Sequence, residues 1–271
     1  RTSRRRRWGC RGRRAAAAFS EQDFWDFYQK MNKDGLSEKT RHDRSIIIKQ
    51  MFKWAAGAAA RLIPGNPLAG VSLDDPAPTR QPCFTPEQVG SLLKQADNHH
   101  RPIYAVMAYA GLRFGEVRDL LWQDVLLEQG QHGFIVVQRG GSDGRTKSGR
   151  IRRIPIHPKL AQILKELPKR FDRVFTANPS AKYPDGGGPI DERRLLMSLK
   201  RLCRRCKFIN PKQYKLHTFR HAFASMCARN NVSYKYALEW MGHKSSDILD
   251  LYYTMFDETA EAAIRTIDYP V

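Results

Sequence analysis

The last quarter of the sequence holds side chains that could act on a phosphodiester. His217 and Arg220 stand three residues apart, so they share one face if this segment is a helix. His221 lies about 100° further round such a helix and is expected to point elsewhere. His217 is therefore the predicted functional imidazole. An imidazole and a guanidinium on one face could move a proton and bind phosphate charge.

Further along the chain an imidazole and two phenols could complete this site. His243 is followed nine residues later by Tyr252, with Tyr253 beside it. A tyrosine hydroxyl has an ordinary pKa of about 10, so it attacks phosphorus well only with a base or a cationic environment. Either tyrosine could serve as the nucleophile on spacing alone.

The ordered segments HTFRHAFAS (217–225), MGH (241–243) and LDLYYT (249–254) resemble the C-terminal active-site region of the tyrosine recombinase, or phage integrase, family. That family has an H-x-x-R box, a downstream G-H and a nucleophilic tyrosine. The run into Tyr252 matches the family's run into its nucleophile, so the resemblance favours Tyr252, with Tyr253 as the alternative. Met255 stands where the family commonly has histidine.

A second motif, GLRFGEV (111–117), resembles the family's first active-site box and makes Arg113 the matching catalytic arginine. Glu116 lies three residues on, close enough to hold Arg113 by a charge-assisted hydrogen bond. A buried ion pair between the two residues is the structural alternative, and the two roles are compatible.

A third motif, TKSG (146–149) ahead of RRIPI (152–156), resembles the β-hairpin that carries the family's catalytic lysine, here Lys147. Without the resemblance, Lys147 would be a basic side chain facing solvent or phosphate. Basic residues flanking it are predicted to contact the DNA backbone, as are three in the N-terminal helices and one in a later basic helix. These predicted contacts are Arg145, Arg150, Arg152, Arg153, Lys39, Arg41, Arg44 and Arg204.

The resemblance implies a site-specific DNA recombinase that works through a covalent 3′-phosphotyrosine, with no metal, ATP or other cofactor. It also implies double-stranded DNA as the partner, a homo-tetramer across two DNA sites, and a role for accessory DNA-bending proteins. Two other functions remain open on the sequence. One is a non-catalytic DNA-binding protein on the same scaffold, and the other is a type IB topoisomerase that relaxes DNA without site preference.

Composition agrees with a polyanionic partner. The net charge is +20 and the pI about 10.0, which indicates nucleic acid, although a basic membrane-surface protein would share this charge. The sequence has no run of eighteen apolar residues, so no bilayer span is expected. Five scattered cysteines indicate reduced thiols in a cytoplasmic protein. The pair Cys203 and Cys206 could belong to a zinc site but is better explained as one face of a helix.

The predicted fold is mainly α with a small antiparallel β-sheet (α+β), in two domains. Residues 1–18 form a basic arm with eight arginines, and residues 19–72 a small helical core-binding (SAM-like) domain that is shorter than the family's. The Pro-rich range 73–82 is the predicted linker, and 83–271 the catalytic domain. Because the chain begins at Arg1 without methionine, it is expected to be a fragment or a processed chain.

Local signals place several elements. Ser37 is expected to cap a helix with an apolar face of Ile47, Ile48, Met51, Phe52 and Trp54. Thr85-Pro86-Glu87-Gln88 predicts a helix start with a capping box, and Asp191 another helix start. β-Branched runs predict strands over 133–138 and 151–156.

Overall fold

The computed structural model describes residues 18–77, 82–139 and 151–242. The chain divides into two compact units, Arg1–Arg80 and Gln81–Val271. In the described ranges helices dominate and the strands form a single three-stranded antiparallel sheet. The predicted α+β class is therefore confirmed. None of the described helices has the length and apolar character needed to cross a bilayer.

The first unit is built on two helices, α1 (Glu21–Lys33) and α2 (Glu38–Ala56). Ser20 caps α1 in a capping box with Asp23, and Ser37 accepts from the Thr40 backbone N–H at the start of α2, as predicted. The core of the unit joins both helices to the chain that follows them. Its fully buried members are Phe24, Phe52, Ile63, Leu68 and Val71.

The predicted apolar face of α2 is only partly correct. Phe52 is buried, but Ile47, Met51 and Trp54 are 64%, 51% and 62% exposed. These three residues are spaced four and three apart and form a stripe of their own, next to the buried one. In the described part of the unit, α1 and the segment after α2 cover only the Phe52 side of the helix.

The second unit begins with α3 (Pro86–Gln95) and α4 (His100–Ala110), followed by the short helix α5 (Phe114–Arg118). Thr85 and Gln88 form the predicted reciprocal capping box at the start of α3. Later helices are α6 (Pro158–Lys165), α7 (Glu192–Arg205), α8 (His217–Arg229) and α9 (Tyr234–Met241). Asp191 caps α7 by accepting from the Arg194 backbone N–H, as predicted.

The sheet has the order β1-β2-β3, with strands Val125–Leu126, Phe134–Val137 and Arg152–Pro155. A 3-10 turn over Trp122–Asp124 leads into β1. Ile135 pairs with Ile154 and Val137 with Arg152. Side chains of β3 alternate between buried and exposed, so Arg152 and Ile154 point inward while Arg153 points outward.

The core of the second unit is centred on α4, whose residues from Pro102 to Met107 are all buried. Helix α4 packs against α8. The rings of Tyr104 and Phe219 stack with centroids 5.4 Å apart, and Phe84 lies 4.9 Å from Phe219. This aromatic contact fixes α8 against α4, which brings the first turn of α8 to the C-terminal end of α4.

Candidate active site

Two helices of the second unit end at glycines in left-handed conformation. Helix α4 is followed by Gly111 with φ +63°, and α9 by Gly242 with φ +61°. A Cβ added at Gly111 would lie 2.5 Å from Cδ1 of Phe223, so any side chain there would force that ring to move. Both turns leave main-chain carbonyls at helix C-termini, where the backbone carries partial negative charge.

Arg220 lies between these two helix ends. Its side chain is 1% exposed; Nη1 donates to the Gly111 carbonyl at 2.6 Å, and Nη2 donates to the Met241 carbonyl. Burial, reinforced by the nearby charge of Arg113, lowers the pKa of Arg220 to about 9. The guanidinium therefore stays protonated at neutral pH. The partial charges of the helix ends help to hold this cation in the interior.

Arg113 precedes the first residue of α5 and is held by Glu116. Its backbone N–H donates to Oε2 of Glu116 at 2.7 Å, and Nη1 donates to Oε1 at 3.1 Å. This is the hydrogen bond that the spacing predicts. The side chain of Arg113 is 22% exposed while that of Glu116 is 2% exposed, so the pair has a buried end and an accessible end.

Arg152 is placed differently from its prediction as a DNA backbone contact. It is 5% exposed, and its Nη1 and Nη2 donate to the two oxygens of Glu116 at 3.0 and 2.7 Å. Its Nε donates to the Trp240 carbonyl at 2.7 Å. A guanidinium engaged in this way is not available to a phosphate. The strand period could have indicated this, because Arg152 alternates with Arg153 and shares the inward face with Ile154.

Glu116 is thus a buried carboxylate between two arginines. Burial by itself would raise its pKa, but the hydrogen bonds and charge of Arg152, and then those of Arg113, outweigh burial and hold the pKa below its usual value. Three guanidiniums, those of Arg113, Arg152 and Arg220, interact with this one carboxylate. The described part of the site therefore carries surplus positive charge, which suits an anionic substrate.

His217 is exposed at the first residue of α8. His221 is half-buried behind it, with the ring centroids 4.8 Å apart and nearly perpendicular. The expectation that His221 points elsewhere is therefore wrong, because residues four apart are neighbours on a helix even though His221 is one step from Arg220. Burial and the charge of Arg220 lower the pKa of His221, which favours a neutral imidazole at pH 7.

Several predicted site residues lie outside the described ranges: Lys147, His243, Tyr252, Tyr253, Arg145 and Arg150. The described chain before residue 140 is anchored by the buried carboxylate of Asp124. Asp124 is 3% exposed, accepts from Nε2 of Gln138 at 2.6 Å and forms an ion pair with Arg139. A buried carboxylate with two donors holds the end of the β2 segment in place.

The predicted DNA contacts of the first unit separate into two kinds. Arg44 and Lys39 are exposed, and Lys39 pairs with Asp43 at 3.0 Å. Arg41 instead joins the two helices, since its Nη1 donates to Oδ1 of Asn32 at 2.7 Å and to the Leu36 carbonyl at 2.8 Å. Its prediction as a DNA contact does not fit this internal role.

In the second unit, Arg153 and Arg204 are exposed, as a contact with DNA requires. The guanidinium of Arg153 lies 3.8 Å from the ring centroid of Phe134, and its Nη2 donates to Gln129 at 2.6 Å. Arg204 lies on the solvent-facing side of α7, opposite the buried Leu199 and Leu202.

The cysteine pair on α7 has the character of a packed helix face. Cys203 is fully buried, and burial raises the pKa of its thiol to about 12. Burial also raises the pKa of Cys206. Raised pKa values disfavour the thiolates that a zinc ion binds. Over the ranges that the structure describes, no three His, Cys, Asp or Glu side chains are grouped as metal ligands would be.

The Phage integrase family matches residues 82–259, more than half of the chain. The ICEBs1 integrase of Bacillus subtilis (strain 168) is 24% identical over 251 residues, which cover 86% of this chain and 66% of that protein. The chain thus spans slightly less than two thirds of the length of this relative.

Solved structures of integrases share the fold. The Tn1549 transposon integrase in complex with a circular intermediate DNA superposes with a TM-score of 0.70 at 22% identity, covering 93% of this chain and 87% of that one. A lambda integrase dimer bound to a core site gives a TM-score of 0.66 at 15% identity, covering 89% and 82%. With the family match over residues 82–259, the chain belongs to the phage integrase family of tyrosine recombinases.

Proposed function

We propose that the chain is a site-specific DNA recombinase that cuts and rejoins DNA strands through a covalent 3′-phosphotyrosine. The observation that carries this proposal is the cationic site at the end of α4. There Arg220 of α8 donates to the Gly111 carbonyl. Arg113, which follows Gly111 by two residues, is held by Glu116. Two arginines held beside the same turn, the one that follows α4, favour a substrate whose negative charge grows in the transition state.

Each described residue has a distinct part in this reaction. Arg113 and Arg220 donate to the non-bridging oxygens of the scissile phosphate, whose charge increases as the pentavalent transition state forms. Two backbone carbonyls use two of the five N–H groups of Arg220, so others are left for phosphate. His217, exposed at the start of α8, supplies a hydrogen bond and a route for a proton.

The covalent step is assigned to residues beyond the described ranges. The Tyr252 oxygen attacks phosphorus and its proton passes to an imidazole, His217 or His243. The bond from phosphorus to the 5′ oxygen breaks, and Lys147 protonates that oxygen, a general-acid contribution of about 100- to 10,000-fold. Since the phosphodiester becomes a phosphotyrosine ester, a 5′-hydroxyl can attack it in the reverse reaction without ATP or metal.

Double-stranded DNA is the proposed partner, bound by a homo-tetramer across two sites. The net charge of +20 supports a polyanionic partner, and Arg44, Arg153 and Arg204 provide exposed cations. The Tn1549 and lambda integrases to which the fold is similar were both solved with DNA.

The test uses a suicide duplex made from DNA that flanks the gene, nicked beside the cleavage point so that the cut strand cannot be rejoined. The wild-type chain, Tyr252→Phe and Tyr253→Phe are incubated with it in the presence of a chelator. A denaturant-resistant adduct from wild type and Tyr253→Phe, but not from Tyr252→Phe, is the expected result. Peptide mass mapping then locates the phosphotyrosine.

Other outcomes separate the alternative functions. An adduct lost only in Tyr253→Phe would move the nucleophile by one residue. Tight, salt-sensitive binding without any adduct would overturn the proposal in favour of a DNA-binding protein. Relaxation of plasmids without regard to sequence would instead indicate a topoisomerase.

A further inference from the structure

Arg152 has no role in the proposed reaction, but its contacts connect two elements of the site. This side chain on β3 reaches α5 through Glu116 and the end of α9 through the Trp240 carbonyl. It is almost wholly buried, and each of its three side-chain nitrogens already donates to a protein oxygen. Its three nitrogens donate to three acceptors on two different helices.

We propose that Arg152 is a positioning residue of the recombination site, which sets the orientation of Arg113 through Glu116 and holds the end of α9 beside Arg220. This inference rests on the proposed function. It concerns how the two described catalytic arginines are held, and not which groups react.

The two carboxylate oxygens of Glu116 are shared equally between two arginines. Oε1 accepts from Nη1 of Arg152 at 3.0 Å and from Nη1 of Arg113 at 3.1 Å. Oε2 accepts from Nη2 of Arg152 and from the backbone N–H of Arg113, both at 2.7 Å. The planar fork of Arg152 fixes the plane of the carboxylate, and the carboxylate in turn fixes where Arg113 points.

Arg152 also contacts the end of α9. Nε of Arg152 donates to the Trp240 carbonyl, and Arg220 donates to the next carbonyl, that of Met241. The side chain also lies against Gly242, where an added Cβ would be 3.1 Å from Cδ of Arg152. Arg152 therefore holds the turn on which Arg220 is anchored, so its loss would disturb both catalytic arginines.

A purely structural ion pair would have the same contacts, so the test must measure the catalytic rate separately from folding. Arg152→Met keeps an unbranched apolar stem and removes the guanidinium fork. Arg152→Lys keeps the charge, but a single ammonium cannot serve both oxygens of Glu116 and the Trp240 carbonyl. Arg118→Met is the control, because it removes another ion-paired arginine, bound to Asp119, from the same helix α5.

The measurement is the single-turnover rate of adduct formation by the full chain on the suicide duplex, at protein concentrations that saturate DNA binding. Arg152→Met is expected to slow this step by about 100-fold, the effect of a small misplacement of catalytic groups. Arg152→Lys should fall between Arg152→Met and wild type. DNA affinity should stay unchanged in both, and Arg118→Met should cleave like wild type.

The pH dependence gives a second readout that a structural role would not move. Glu116 faces Arg152 on β3, Arg113 just before the first residue of its own helix, and Arg220 on α8. Burial raises the pKa of Glu116, and Arg152 is the main group that lowers it. Loss of Arg152 therefore raises the pKa of Glu116. In Arg152→Met, adduct formation should therefore fall as pH is lowered over a range where the wild-type rate does not depend on Glu116.

The two proposals fail in different ways. If wild type forms no adduct, the recombinase proposal is overturned and the role of Arg152 with it. If wild type forms the adduct, and a folded Arg152→Lys or Arg152→Met variant forms it at the wild-type rate, only the positioning role is overturned. If Arg152→Met does not fold, a wild-type rate in Arg152→Lys still refutes it.

Discussion

Gly111 offers a direct test of how the candidate site is built. In Gly111→Ala the new Cβ must occupy a residue with φ +63° and would lie 2.5 Å from Cδ1 and 2.9 Å from Cγ of Phe223. Two separate effects follow, backbone strain and a steric clash. Since the Gly111 carbonyl accepts from Arg220, both effects act on the anchor of a proposed catalytic arginine.

The magnitude can be worked out from these two effects. A non-glycine residue in the left-handed region costs about 1–2 kcal/mol. Overpacking of a buried ring adds about 1–3 kcal/mol, because Phe223 is 9% exposed and α4 packs on its helix. The sum is about 2–5 kcal/mol of unfolding free energy, which lowers Tm by roughly 5–20 °C for a unit of this size.

Thermal unfolding followed by circular dichroism measures this loss, with Gly90→Ala as the matched control. Gly90 lies within α3, is exposed, and has no atom within 4 Å of an added Cβ. That substitution should raise stability by about 0.5–1 kcal/mol, the difference between alanine and glycine inside a helix. A double variant, Gly111→Ala with Phe223→Leu, should recover part of the loss, since the branched side chain leaves space where the ring stood.

If Gly111→Ala melts within about 2 °C of wild type, which corresponds to less than about 1 kcal/mol, neither backbone strain nor the clash with Phe223 acts at this turn as described. If the stability losses of Gly111→Ala and Phe223→Leu simply add in the double variant, the clash with the ring is excluded and backbone strain alone explains the loss in Gly111→Ala. A stable Gly111→Ala variant that forms the adduct at the wild-type rate would show that Arg220 does not depend on this turn.

Two further predictions concern charged side chains. Glu116→Gln leaves two guanidiniums without their carboxylate and should cost about 3–5 kcal/mol at pH 7. Because the folded-state pKa of Glu116 is lowered, its stabilisation is present above its usual pKa and is lost as pH falls through the lowered value. The difference in the free energy of unfolding in urea between wild type and Glu116→Gln should therefore become smaller in acid. A difference that does not change with pH would contradict the pairing of Glu116 with the two arginines. In the first unit, Arg41→Met should lower stability by about 1–2 kcal/mol through its lost hydrogen bonds and leave the salt dependence of DNA binding unchanged. Arg44→Met should instead reduce the slope of log K for DNA binding against log salt by about 1, with little effect on Tm. If Arg41→Met changed the slope and Arg44→Met lowered Tm, the roles assigned to the two arginines would be wrong.

Local signals in the sequence predicted the starts of helices well. Thr85 with Gln88, Ser37 and Asp191 all cap the helices that they were expected to cap. Capping depends on a side chain and a backbone N–H two or three residues away, so neighbouring residues are enough to specify it. The pairing of Arg113 with Glu116 was predictable for the same reason.

Contacts between distant segments were not predictable in this way. Arg152 was expected on the surface because it lies in a basic run, yet it pairs with a carboxylate 36 residues earlier. The apolar residues of α2 were predicted to form one face, and only the packing of the unit decided that Phe52 is buried while Trp54 is exposed. Neither outcome can be read from residue type, because both depend on which neighbours cover a face.

By itself the sequence determined the helix starts and the α+β class, and it predicted a polyanionic partner and the catalytic boxes, since each depends on composition or on residues close together in the chain. The tertiary structure decided how those boxes are held. Arg220 is anchored on carbonyls at the ends of two separate helices, and Glu116 is bound by arginines from two separate elements. A buried charge is stable only where the fold surrounds it with partners, and those partners come from segments whose meeting is decided by the packing of the whole unit.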